Sequence, residues 1–160
     1  MRTMLLSFKP EWYEKIRSGE KIYEYRRIFA SEEVIAYMYV STPVKKVVGK
    51  IHLGKRINLN EWLYKYKDDV EVYARIQDSI QRHQYAMPIK SFTMTKEITL
   101  EELRMFNSKF VCPQMYYYLD NYPELFDFIK NHASELDEVI EHDFTYINKD
   151  DICRRKYKEV

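Results

Sequence analysis

The stretch Val34-Ile35-Ala36-Tyr37-Met38-Tyr39-Val40 constrains the fold more than any other part of the chain. Read as a strand over Glu33–Val40, it sends Ile35, Tyr37 and Tyr39 to one face and Val34, Ala36 and Met38 to the other. Both faces are apolar, so both must be covered, and the strand belongs in the middle of a sheet.

The chain around it supplies the neighbours. Met4–Phe8 is a short apolar run that reads as a buried strand, ended by Lys9-Pro10. Proline suits the first turn of a helix, here Pro10–Ser18, with Trp12, Tyr13 and Ile16 sharing one side. Gly19 fits the left-handed turn that closes such a helix, and a second strand follows. After the turn Ser41-Thr42-Pro43, Val44–Leu53 alternates as a strand, and Gly49 inside it predicts a bulge.

Residues 58–83 form a helical insertion. Asn58 with Glu61 gives a cap before Trp62, Leu63 and Tyr66, and Tyr73, Ile76, Ile80 and His83 recur at helical spacing as a core stripe. Strands return over Tyr85–Ile98, broken near Pro88–Ser91. Thr99–Glu102 is a capping box, and Asn121 with Glu124 caps the last clear helix. Beyond Glu141 the signals weaken, and Arg154–Lys158 reads as a frayed, solvated tail. The expected organisation is one domain over residues 1–145, with the insertion at 58–83 and a C-terminal tail at 146–160. It is an α+β fold, a small, mostly antiparallel β-barrel with peripheral helices.

Composition narrows the function classes. Residues 1–60 carry 12 Lys/Arg against 6 Asp/Glu, whereas residues 111–160 carry 6 against 11, so the overall charge of +1 hides a basic N-terminal third. A basic third favours an anionic partner, and the near-neutral total argues against indiscriminate nucleic-acid binding. No apolar run approaches a membrane span, the two cysteines read as reduced thiols, and the reading is a soluble cytoplasmic protein with no membrane partner. The three glycines form no phosphate-cradling loop and the four histidines have no metal spacing, so neither metal nor cofactor is expected.

Two constellations remain. Lys9, Lys21, Glu24 and Arg26 lie at the two ends of the first helix and on the second strand, where Glu24 and Arg26 share a face opposite Lys21, Tyr23 and Tyr25. They form either a surface charge network or a polar site, with Arg27 alongside. A lysine among other cations can act as base or nucleophile, and a neighbouring carboxylate can move a proton. The second is Val111–Leu119, where Gln114 can read a base edge and Tyr116 or a neighbouring tyrosine can stack on the base. A third possibility is a protein-interaction surface around Trp62–Tyr66.

Leu5-Leu6-Ser7-Phe8-Lys9-Pro10-Glu11-Trp12, followed by Ile16-Arg17-Ser18-Gly19-Glu20-Lys21-x-x-Glu24-x-Arg26-Arg27, resembles the N-terminal signature of ASCH domains in the PUA-like superfamily. Tyr37–Pro43 with Val47-Val48-Gly49 is similar to that family's next two strands, and Phe110–Leu119 to a Pro-Gln-aromatic segment of longer members. The resemblance implies a PUA-like barrel whose cleft binds RNA or a modified nucleotide, with a role in RNA metabolism or translation. It implies ligand contacts from Lys9, Lys21, Glu24, Arg26, Arg27, Ser41, Gln114 and Tyr116. Some ASCH proteins are amidohydrolases that deacylate N4-acetylcytidine, using a lysine, a threonine three residues later and a distant glutamate. Lys21 matches that lysine, but Glu24 stands where the threonine would be. The enzymatic alternative is therefore a hydrolase acting on a nucleoside or RNA, with Lys21 and Glu24 as its catalytic groups.

Overall fold

The computed structural model describes residues 1–158. Eight strands and five α-helices follow one another as β1 (Thr3–Phe8), α1 (Pro10–Arg17), β2 (Tyr23–Arg26), β3 (Val34–Val40), β4 (Lys46–Leu53), β5 (Ile57–Asn58), α2 (Leu59–Lys65), α3 (Val70–Ile80), β6 (Tyr85–Thr99), α4 (Leu100–Phe106), β7 (Tyr116–Tyr118), α5 (Pro123–His132) and β8 (Glu135–Glu141). The sheet runs β2-β6-β4-β3-β1-β7, with β5 and β8 also paired to β6. All pairings are antiparallel except β1 with β3. The result is the expected α+β architecture, a curled half-barrel with helices at its rim.

β3 sits in the middle, as its two apolar faces require. Val34, Ala36, Met38 and Val40 pack inward with Met4, Leu6 and Phe8 of β1, while Tyr37 and Tyr39 join Leu5 on the opposite face beneath α4 and α5. A third cluster lies under the insertion, where Leu59, Trp62, Val72 and Ile76 enclose Tyr23 and Ala86.

Local signals explain most boundaries. Gly19 takes φ +82° after the C-cap Ser18, and Thr99 and Glu102 form a reciprocal capping box. Asn58 caps α2 by accepting from the Asn60 amide. Gly49 does mark an irregular site, since register shifts flank it on both neighbouring strands. A Cβ there would come within 2.7 Å of the Thr93 carbonyl oxygen, so close strand approach demands glycine as well.

Several expectations need correction. β6 is one 15-residue strand with no break at Pro88–Ser91. It bends instead, pairing β2 and β5 near its start and β4 further along. The stripe of α3 is Val72, Ile76 and Ser79, and His83 lies past the helix end. Asn121 does not cap α5, because Leu119–Asn121 forms a 3-10 turn and Tyr122 takes the cap position before Pro123. β8 follows α5 with an almost wholly exposed face, which hides it from a periodicity search. The tail is anchored rather than frayed: Ile152 and Cys153 are buried, Arg154 pairs with Glu20 and Tyr157 is half-buried, while Arg155, Lys156 and Lys158 are solvated as expected.

Gly49→Ala is expected to lower stability by about 1–3 kcal/mol, because the added methyl meets rigid backbone. Urea unfolding checks this, and an unchanged midpoint would contradict it.

Candidate ligand cleft at the barrel seam

The half-barrel does not close by strand pairing. β2 lies at one end of the sheet path and β1 beside the other, so the two strands are not neighbours. Curling brings them together, and a side chain spans the gap: Arg26 Nη2 donates to the Ser7 carbonyl at 2.8 Å. A cleft opens along this seam.

Glu24 lies at its centre and is only 4% exposed. One carboxylate oxygen accepts from Arg26 Nη2 at 2.9 Å and Nε at 3.3 Å, and the other accepts from the Tyr25 amide at 3.2 Å. Lys21 Nζ stands 3.5 Å from that second oxygen. Lys21 is 4% exposed as well, and its ammonium makes no hydrogen bond shorter than this contact among the described residues. Its ammonium sits between the rings of Trp12 and Tyr25, at 4.8 and 4.9 Å from their centroids.

Alternation places Lys21 opposite Glu24, yet both face the cleft. β2 begins only at Tyr23, so Lys21 precedes the strand and escapes its alternation. The left-handed Gly19 turns the chain back, and the Lys21 amide donates to the Lys15 carbonyl. That turn aims the side chain inward.

Burial alone would raise the Glu24 carboxyl, but Arg26 and Lys21 outweigh it and hold the group below its ordinary value. For Lys21, burial is the largest influence and lowers the ammonium; Glu24 offsets only part of this, and Arg26 lowers it further.

Trp12, Glu24, Tyr25 and His83 line both halves of the cleft. The outer half, of about 410 Å³, adds Ser7, Phe8 and Lys9 from the first strand and its exit, and Arg26, Tyr39 and Ser41 beside them. Cys112, Pro113 and Gln114 complete it, on a loop that is tied to β1 because Ser7 Oγ donates to the Pro113 carbonyl at 2.6 Å. The inner half, of about 260 Å³, is bounded by Lys21, Ser79, Arg82 and the C-terminal residues Cys153, Arg154, Arg155 and Tyr157. That segment forms a strap. The Cys153 amide donates to the Tyr25 hydroxyl at 2.9 Å, Tyr157 meets Trp12 edge-on, and the Lys158 amide donates to Glu20.

Of the residues singled out from the sequence, Lys9, Lys21, Glu24, Arg26, Ser41 and Gln114 converge here. Two do not. Arg27 donates to the Gln81 carbonyl outside the cleft, and Tyr116 packs on the inner core beside Phe29. Sequence reasoning missed Trp12, Tyr25, His83 and the strap. The basic, aromatic run Arg154–Lys158 was the available signal, but nothing local says that it folds back over the cleft.

No protein-family model matches the chain, and no curated protein matches its sequence. Solved structures do match. An ASCH protein from Zymomonas mobilis, as a serine-to-alanine mutant, superposes with TM-score 0.61 at 21% identity, covering 83% of this chain and 97% of that one. A tyrosine-to-phenylalanine mutant of that protein gives 0.62 at 20% identity, covering 84% and 100%. The unmutated ASCH structure gives 0.57 at 21%, covering 79% and 94%. The fold is ASCH-like. Within this ASCH-like fold the Lys21–Glu24–Arg26 group occupies the seam between β1 and β2.

The pH dependence of stability follows from these shifts. Glu24 is lowered from about 4.5, so its contribution is present above that pH and lost as pH falls through the folded value. Lys21 is lowered from 10.5, so the unfolded chain binds more protons between the two values and stability rises with pH across that window. In Lys21→Met the alkaline rise is expected to disappear. Glu24→Gln, which strands two cations, is expected to cost about 3–5 kcal/mol at neutral pH. Urea unfolding across pH checks both, and an unchanged alkaline slope in Lys21→Met would contradict the assignment.

Proposed function

We propose that the seam cleft binds RNA or a nucleotide, modified or not, as a PUA-like module serving RNA metabolism or translation. The observation that carries this reading is the meeting, in one cleft, of the Gln114 amide, the buried Glu24–Arg26 pair and the faces of Trp12 and Tyr25. A base edge offers donors and acceptors together. Gln114 answers both, and Glu24 holds Arg26 in place beside it. Trp12, 36% exposed, takes the stacking role first given to Tyr116. Lys9 and Arg26 supply phosphate contacts at the outer half.

The hydrolase alternative draws support from Lys21, whose buried amine gives up its proton more readily than an ordinary lysine. Glu24 opposes it. Its oxygens are already engaged and its basicity is reduced, which suits anchoring better than proton abstraction. The two serines of the outer half are also committed, Ser7 Oγ to the Pro113 carbonyl and Ser41 Oγ to the Phe8 carbonyl at 3.3 Å. Incubation with N4-acetylcytidine is expected to release no acetate. Release that is lost in Lys21→Ala would establish the hydrolase instead.

Short single-stranded RNAs are expected to bind with affinity that falls with salt, by about 0.7 in log–log slope per phosphate contact. Lys9→Ala should weaken binding and flatten that slope by roughly one contact's worth. Gln114→Ala should weaken binding without changing the slope, and Arg27→Ala should change neither. Fluorescence anisotropy reads all three. Absence of binding at low salt, or equal losses in Arg27→Ala and Lys9→Ala, would contradict the proposal.

A further inference from the structure

The two halves of the cleft differ in chemistry. The outer half mixes hydroxyl, amide, thiol and aromatic groups around Arg26 and Lys9. The inner half has four cationic side chains, Lys21, Arg82, Arg154 and Arg155, facing one carboxylate, Glu24. That carboxylate is already turned to Arg26 and the Tyr25 amide.

The arginines are held from behind by acids outside the cavity lining. Arg82 pairs with Asp78 at 2.9 Å, Arg155 lies 3.8 Å from Asp78, and Arg154 pairs with Glu20 at 2.8 Å and lies 3.9 Å from Asp151. Arg154 also donates to the Lys156 and Glu20 carbonyls and Arg155 to the Ala74 carbonyl, but each guanidinium has five N–H groups, so donors are left over on all three. Lys21 differs from them. It is more than nine-tenths buried, borders the cavity, and among the described residues its ammonium has the 3.5 Å contact to Glu24 and the ring faces of Trp12 and Tyr25 but no close hydrogen-bond acceptor. A buried ammonium with unused donors is costly unless something enters to accept from them.

We propose that the inner half is a terminal-phosphate site, taking the phosphomonoester of a mononucleotide or of a phosphorylated strand end while the base occupies the outer half. This rests on the nucleotide-binding reading and deepens it. A phosphomonoester brings between one and two negative charges and three acceptor oxygens at neutral pH, which suits a lysine point charge flanked by guanidinium forks. Lys21 donates to the phosphate from beneath, and Arg82, Arg154 and Arg155 donate from the sides. The volume of about 260 Å³ admits such a group together with several waters.

The strap explains why an end group is selected. An internal phosphodiester continues as chain on both sides and needs a way out. Residues 153–158 cover the inner half, with Tyr157 against Trp12, Arg154 on Glu20 and Lys15 Nζ donating to the Lys158 carbonyl. A strand entering from the outer half meets this strap.

The test compares matched ligands by calorimetry on the whole chain: nucleoside against nucleoside 5′-monophosphate, and a 5′-hydroxyl against a 5′-phosphorylated tetraribonucleotide. In each pair that binds, the phosphorylated member is expected to bind at least tenfold more tightly, and the pair that responds identifies the source as free nucleotide or strand end. The preference should fall to about twofold or less in Lys21→Met and in the double variant Arg82→Gln/Arg155→Gln. The double variant alters exposed side chains and guards against a folding failure in the first. Equal affinity within both pairs, or a preference that survives in both variants, would overturn the terminal-phosphate site while leaving the cleft as a base-binding site. Failure of every ligand to bind would overturn both readings.

Discussion

The Glu24 carboxylate holds the seam together. It sits among cations at the point where two strands approach without pairing, and orients Arg26 so that its guanidinium reaches the Ser7 carbonyl across the gap. An antiparallel ladder there would have closed the barrel and left no cleft. A buried ion pair contributes little net stability over an apolar replacement, but removing one partner is expensive. The group is therefore better understood as fixing geometry than as strengthening the fold. It also leaves polar atoms at the base of a cavity, where a ligand can meet them.

The rest of the molecule braces this seam. α1 leaves β1 through Lys9 and returns through the left-handed Gly19, which brings the Lys21 ammonium against the Trp12 ring. The insertion packs Trp62, Val72 and Ile76 against Tyr23, fixing β2 from behind. His83, beyond the end of α3, reaches the junction of the two halves. Burial, reinforced by Arg82, holds its imidazole below the usual histidine range. The C-terminal strap then covers the inner half and gives the cleft its asymmetry.

Much of this was legible in the sequence because the deciding physics was local. Two apolar faces forced β3 to the centre, the Thr99–Glu102 box started α4, and Gly19 ended α1. The charged cluster on β2 could be named but not assembled, because Lys21 joins Glu24 only once the strand is seen to begin after it. Non-local packing escaped for the same reason. The Ser7–Arg26 bridge spans 19 residues, and the Arg154–Glu20 pair spans 134. Tyr116 was misplaced because a tyrosine run is half-buried at every position in β7, and alternation alone does not say which ring faces a ligand.

The most direct test of the central claim, that the seam is where this ASCH-like fold meets its ligand, is an amide chemical-shift titration of the labelled protein with a short phosphorylated RNA. The account predicts that the largest shifts fall together on Lys9, Lys21, Glu24, Tyr25, Arg26 and Gln114, with Arg27 and the exposed face of β8 unmoved. Shifts concentrated on the helical insertion around Trp62–Tyr66, or scattered over the basic surface with the seam silent, would contradict it.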